Sequence, residues 1–76
     1  MISIVIPTFN EVENIVPLLK KLTLILNDFE YEIVVVDDDS PDGTSDHVNK
    51  YMNINKRIKL ITRIGGLVYL VLLKKD

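Results

Sequence analysis

Three consecutive carboxylates, Asp37–Asp39, are the feature of this sequence with the clearest capacity for chemistry. Adjacent carboxylates repel one another and are costly to desolvate, so this segment needs hydrogen-bond donors or a cation close by. The same charges would repel a bare phosphate. Carboxylate oxygens act only as acceptors, and they suit ligands that present N–H or O–H groups, such as a nucleotide base or a ribose.

A second polar segment, Pro7–Glu11, directly follows the apolar run Ile2–Ile6. Within it, Phe9 offers a ring face to a base. The segment lacks the glycines that allow backbone amides to surround a phosphate, and neither a G-x-G-x-x-G nor a P-loop motif occurs in the chain. This composition favours recognition of a base or a ribose over a phosphate cradle.

The acidic triplet has three other interpretations. In the simplest, the triplet caps a helix and solvates a loop, and it binds nothing. A dinucleotide-binding domain also places an acid after its second strand, but the absence of glycine between Pro7 and Asn14 argues against that fold. A phosphoacceptor receiver domain has paired acids after its first strand and a lysine later, and this pattern is not found.

The residues on either side of the Pro7–Glu11 segment predict a strand and then a helix. The apolar run Ile2–Ile6, which a proline follows, indicates a buried strand. A proline deep inside a helix costs ~3 kcal/mol but is tolerated in the first turn. Asn14 as N-cap and Pro17 at the third position therefore predict a helix over Asn14–Asn27. From Val12 onward, apolar residues recur at helical spacing, at Val12, Ile15, Val16, Leu19, Leu22 and Leu26.

The second half of the chain predicts the same alternation of strand and helix. Tyr31–Val36 is rich in β-branched residues and apolar on both faces, as is typical of a central strand of a parallel sheet. Ser40 as N-cap and Pro41 at the first helical position predict a second helix that ends near Met52. Ile58–Arg63 indicates a third strand.

This order of elements predicts an α/β fold, a partial doubly wound parallel sheet. In open sheets of this class ligands bind beyond the carboxyl ends of the strands, where both polar segments fall, so their side chains should face one crevice. Residues 64–76 consist of an apolar run and a charged end. The sequence leaves open whether this run forms a fourth strand or a frayed helix.

Composition excludes several classes of function. The formal net charge of −2 argues against general binding to nucleic acid, and the absence of cysteine excludes disulfides and thiolate metal sites. The longest apolar run, Leu67–Leu73, is too short for a transmembrane helix, which needs about 20 residues. A small parallel sheet has exposed edges, which predict self-association or poor solubility.

Both polar segments resemble motifs of one enzyme family. Pro7–Glu11 reads P-T-F-N-E and is similar to the P-T-Y-N-E loop of dolichyl-phosphate-mannose synthases, which are glycosyltransferases of family 2. Val34–Thr44 matches the second-strand motif of the same family almost letter for letter. The resemblance covers residues 1–63 and implies the nucleotide-sugar-binding half of a GT-A, Rossmann-like domain. Residues 64–76 diverge from the family pattern.

The resemblance also implies a set of substrate-binding residues. Val36 would contact the base of the nucleotide and Asp38 would accept its ring N–H, whereas Asp37 and Asp39 are left as ligands or as support for the loop. The D-x-D spelled by Asp37 and Asp39 is not interpreted as the family's metal motif, which follows a later strand. The implied substrate-binding residues are Pro7, Phe9, Glu11, Val36 and Asp38.

For the intact family, the resemblance implies GDP-mannose or a UDP-sugar as donor and dolichyl or polyprenyl phosphate as acceptor. It also implies Mg²⁺ or Mn²⁺ on the diphosphate, with no cofactor bound by these 76 residues. No catalytic residue is assigned, because the metal motif and the acceptor site are missing from this sequence. The expected function is binding of the donor base without sugar transfer; a non-catalytic nucleotide-binding or interaction remnant is the alternative. The expected location is cytoplasmic, with a peripheral position at the membrane face compatible with it.

Overall fold

The computed structural model describes residues 1–65 and the backbone of residues 67–71. Strands β1 (Ile2–Thr8), β2 (Tyr31–Asp37) and β3 (Ile58–Ile64) are parallel neighbours in that order, and β4 (Leu67–Val71) joins the sheet antiparallel to β3. The predicted α/β alternation over a parallel sheet is confirmed. In chain order the elements are β1 (Ile2–Thr8), α1 (Ile15–Ile25), β2 (Tyr31–Asp37), α2 (Thr44–Ile54), β3 (Ile58–Ile64) and β4 (Leu67–Val71).

The core lies between one face of the sheet and a single layer made of both helices. Ile33 and Val35 in β2 are completely buried under this layer, and α1 and α2 contact each other across it. Their neighbours in sequence point to the opposite face because side chains alternate along a strand. The buried apolar residues are Ile15, Leu19, Leu26, Tyr31, Ile33, Val35, Val48, Tyr51, Met52, Ile58 and Leu60.

The opposite face of the sheet, which we call the open face, has no helix over it among the described residues. Val5 in β1 is 63% exposed there, and Val34, Val36 and Ile61 are only partly buried. A complete doubly wound fold covers both faces of its sheet with helices. The described residues therefore form a sheet with helices on one face only, which agrees with the expectation of a partial doubly wound sheet.

Helix α1 begins at the predicted position. Asn14 is its N-cap, and Pro17 occupies the third helical position, where its missing N–H has no cost. The Asn14 side chain makes no capping bond to the helix and instead donates weakly to the Glu11 carboxylate, at 3.4 Å. The helix ends at Ile25, slightly before the predicted Asn27.

Helix α2 corrects the prediction of its start. It begins at Thr44, after a left-handed Gly43 (φ +90°), and not at Pro41, and it ends at Ile54. The Ser40 hydroxyl, which was predicted to cap the helix, donates to Asp37 at 2.6 Å. Asp42 accepts the Thr44 amide at 3.0 Å, so a carboxylate two residues before the helix replaces the expected cap.

The strands are longer than predicted. β1 extends to Thr8 and includes Pro7, which is tolerated because β1 has a single neighbour among the described strands and loses no bond on its other side. Of the two alternatives for the end of the chain, the described part adopts a strand, Leu67–Val71. Gly65, with φ +56°, turns the chain into it. Residues 72–76 lie outside the described residues.

In the part of the chain that the structure describes, neither helix has the length and apolar character needed to cross a membrane.

The exposed edge and open face at β1 predict self-association through this strand. Val5→Lys should lower the average mass of the sedimenting species in sedimentation velocity, because a charge on an edge strand opposes pairing with another copy. Leu24→Lys, at a 78% exposed position of α1, is the matched control. A monomeric wild-type chain at micromolar concentration, or equal effects of the two substitutions, would contradict the prediction.

Candidate functional site

A cavity of about 350 Å³ lies at the carboxyl end of the sheet, on the open face. Its volume is within the range of sites that bind small molecules. The structure brings together around it all of the substrate-binding residues implied by the sequence, although their roles remain predictions. The lining residues are Pro7, Thr8, Phe9, Glu11, Val36, Asp38 and Arg63.

Strand register explains how distant residues meet in this cavity. Pro7 pairs with Val36, and Val36 pairs with Ile61, so these three side chains form one row across the open face. Two residues further along, the same alternation gives Phe9, Asp38 and Arg63, which line the cavity. The site thus combines an apolar floor with an aromatic ring, a carboxylate and a guanidinium.

Asp37 faces the opposite way, towards the helices, and is completely buried. Its carboxylate accepts four hydrogen bonds. Thr8 Oγ1 and Ser40 Oγ donate to Oδ1 at 2.8 and 2.6 Å, and the Ser40 amide and Ser45 Oγ donate to Oδ2 at 2.9 and 2.8 Å. Burial alone raises the pKa of this carboxyl, but the bonds from Ser40, Ser45 and Thr8 outweigh burial and hold the pKa below its usual value.

The D-x-D formed by Asp37 and Asp39 does not fit a metal ion. Both oxygens of Asp37 are occupied by donors from Thr8, Ser40 and Ser45, which leaves no lone pair directed at a cation. Asp39 is exposed, at a positive φ of 56°, outside this network. We therefore assign Asp37 to support of the site.

A second set of bonds joins the loop after β1 to the start of α2. Three successive backbone amides donate to side chains across the crevice: Asn10 to Ser40 Oγ at 2.9 Å, Glu11 to Thr44 Oγ1 at 3.1 Å and Val12 to Asp42 Oδ2 at 3.1 Å. These three bonds fix the backbone that carries Phe9 and Glu11. The Thr44 hydroxyl, and to a lesser degree the Val12 amide, hold the pKa of Asp42 below its usual value.

Asp38 is held by its backbone, and its side chain is exposed. Its amide donates to the Thr8 carbonyl at 3.0 Å, which continues the ladder between β1 and β2 by one residue. Among the described residues its carboxylate accepts no hydrogen bond from another side chain. Asp38 thus presents an exposed carboxylate to the cavity from a backbone position that the strand ladder holds, in contrast to its buried neighbour Asp37.

A larger cavity of about 460 Å³ lies beside the free edge of β1 and shares Pro7, Thr8 and Glu11 with the first. Its other walls include apolar residues of β1 and α1, such as Ile6 and Leu18. Neither Phe9 nor an acid of the triplet reaches it. The chemistry predicted from the sequence is therefore concentrated in the smaller cavity.

Sequence reasoning missed Arg63 and Ser45. Arg63 could have been found, because the third parallel strand must end at the same edge of the sheet as the other two. Ser45 carried no comparable signal, since its bond to Asp37 depends on how α2 is oriented after the turn at Gly43.

Asp37→Asn should lower the free energy of unfolding at pH 7 by about 2–4 kcal/mol, because an amide cannot accept all of the bonds that the carboxylate receives. The pKa of Asp37 is lower in the folded state, so its stabilisation is present above the unfolded pKa of about 3.9 and is lost as the pH falls through the folded value. The difference from wild type in urea unfolding should accordingly narrow below about pH 4.

Asp39→Asn, which removes the same charge from an exposed neighbour, is the control and should change stability by less than about 0.5 kcal/mol. Equal destabilisation by the two substitutions at pH 7 would show that the network around Asp37 is not a principal support.

Comparison with known proteins agrees with the fold. The model of the family described as Glycosyl transferase family 2 matches residues 3–68. The dolichol-phosphate mannosyltransferase of Pyrococcus furiosus is 54% identical over 43 residues, which are 57% of this chain and 12% of that protein. The chain thus spans only a small part of the length of this curated relative. It belongs to glycosyltransferase family 2.

Proposed function

We propose that this chain binds the nucleotide of a nucleotide-sugar donor in the cavity between Pro7–Glu11 and Val36–Asp38. It would serve as the donor-base half of a transferase resembling the dolichyl- or polyprenyl-phosphate mannosyl- and glucosyltransferases. The observation that carries the proposal is the meeting of an apolar floor, an aromatic ring and an exposed carboxylate on a held backbone at the carboxyl edge of the sheet. That edge is where open α/β sheets bind ligands.

The proposed roles follow from the chemistry of each side chain. A planar base would lie on Pro7 and Val36 and contact the ring of Phe9, so that its apolar faces leave water. Asp38 would accept a hydrogen bond from the ring N–H of the base, and Glu11 would accept one from a ribose hydroxyl. Because these two carboxylates repel the negatively charged diphosphate, the diphosphate would point out of the cavity.

The wider identity of the substrates rests on the family. GDP-mannose or a UDP-sugar is the proposed donor, and dolichyl or polyprenyl phosphate is the proposed acceptor in the intact enzyme. Mg²⁺ or Mn²⁺ would neutralise the diphosphate there, through residues other than Asp37. A cytoplasmic location, with peripheral contact at the membrane face, fits these substrates and is part of the same proposal.

Calorimetric titration tests the base site. The wild-type chain should bind GDP or UDP, and Asp38→Ala should weaken this binding by about 10-fold or more, because a hydrogen bond to a charged group contributes about 1.5–3 kcal/mol.

Asp28→Ala, which removes an equivalent exposed charge in the turn after α1, should leave the affinity unchanged. Absence of binding to either nucleotide by the folded wild-type chain would contradict the proposal and favour an inert remnant.

We expect the purified chain of 76 residues to transfer no sugar. Within its D-x-D both oxygens of Asp37 are occupied with structural hydrogen bonds, so this motif is not expected to hold the metal that assists departure of the nucleoside diphosphate. The measurement is incubation with radiolabelled GDP-mannose or UDP-glucose, polyprenyl phosphate and Mg²⁺ or Mn²⁺. Formation of a labelled lipid above the level of a protein-free control would contradict this expectation.

A further inference from the structure

Arg63 is the cation among the described residues that line the cavity of about 350 Å³, and none of the roles proposed above uses it. It lies near the end of β3, one residue beyond Thr62, which pairs with Asp37 in β2. Adjacent strands are about 4.8 Å apart, so Arg63 and Asp38 lie side by side on the open face. Both side chains are exposed and directed at the same space.

A purely structural role for Arg63 finds little support in its surroundings. Among the described residues the ion pair of the sheet joins Lys59 to Glu32 at 2.7 Å, at the far end of the open face from the cavity. Arg57, the other arginine, lies over the ring of Tyr31 at 4.8 Å and donates to backbone carbonyls. Arg63 makes no hydrogen bond to any described residue.

A carboxylate beside a guanidinium presents to a flat ligand a row of two groups, a hydrogen-bond acceptor and next to it a hydrogen-bond donor. Guanine and uracil have the complementary row, because each carries a ring N–H next to a carbonyl oxygen. Adenine and cytosine have the opposite row, a ring nitrogen with a lone pair next to an amino group. Against Asp38 and Arg63, they would place acceptor against acceptor and donor against donor.

We propose that Arg63 is a specificity-determining residue, which donates to the base carbonyl adjacent to the N–H accepted by Asp38 and so selects keto bases over amino bases. This inference rests on the proposed function, since it needs a base in the cavity. It adds the third strand to a site that the sequence motifs confined to the first two. It also gives a role to an exposed guanidinium that lines a cavity with two carboxylates and makes no hydrogen bond to a described residue.

Arg63→Gln tests the inference, with Lys56→Gln as control because it removes the same charge from an exposed position before the other end of β3. Each chain is titrated calorimetrically with GDP, UDP, ADP, CDP and guanosine. We expect the wild type to prefer GDP or UDP to ADP and CDP. Arg63→Gln should weaken binding of the preferred nucleotide by about 10-fold or more and leave the weak binding of ADP and CDP unchanged, which reduces the preference.

Guanosine separates the base from the phosphates. If guanine is the preferred base, Arg63→Gln should weaken guanosine and GDP by the same factor. Loss for the diphosphates of all four bases, with guanosine unaffected, would show a phosphate contact and overturn the inference. Equal affinities of wild type and Arg63→Gln for GDP and UDP would overturn it while leaving the proposed function intact. Failure of the folded wild type to bind any nucleotide would overturn both.

Discussion

The geometry of the site depends on one buried anion, the carboxylate of Asp37. It accepts bonds from a residue of β1, from the loop after β2 and from the first turn of α2, namely Thr8, Ser40 and Ser45. A buried charge without partners would cost several kcal/mol, so these segments must stay together for the chain to remain folded. Packing alone would hold the strands, but it would not determine the course of the two loops that they carry.

The acidic triplet illustrates how neighbouring residues of one type acquire different tasks. Asp37 is the last residue of β2 and faces the helices, Asp38 follows on the open face, and Asp39 adopts a positive φ that redirects the chain. The electrostatic repulsion between them is relieved in two ways. Hydrogen bonds satisfy the first, and water solvates the other two. In the proposed site the binding role falls to the middle carboxylate, which the carboxylate before it supports.

Sequence reasoning predicted what local rules control. The period of apolar residues and the tolerance for Pro17 in a first turn gave the correct start of α1, and parallel-sheet logic gave the edge at which the two motifs meet. It placed the start of α2 wrongly, because Ser40 has the propensity of an N-cap but its hydroxyl is bound by Asp37. Arg63 was missed although the same logic places the end of the third strand at this edge, and only the register between the strands shows that its side chain is beside Asp38.

The edge position of β1 has a consequence for the occupancy of the cavity. Pro7 and Phe9 belong to β1 and its following loop. Within residues 1–65 and 67–71 this strand has one neighbour, whereas β2 is hydrogen-bonded on both sides. Native-state opening begins where the fewest bonds must break, so β1 should detach more readily than the rest of the sheet. Each detachment of β1 removes one side of the cavity. The apparent affinity for a ligand then falls in proportion to the fraction of molecules in which β1 is in place. A ligand that bridges β1 and β2 would reverse this effect and rigidify the edge strand as it binds.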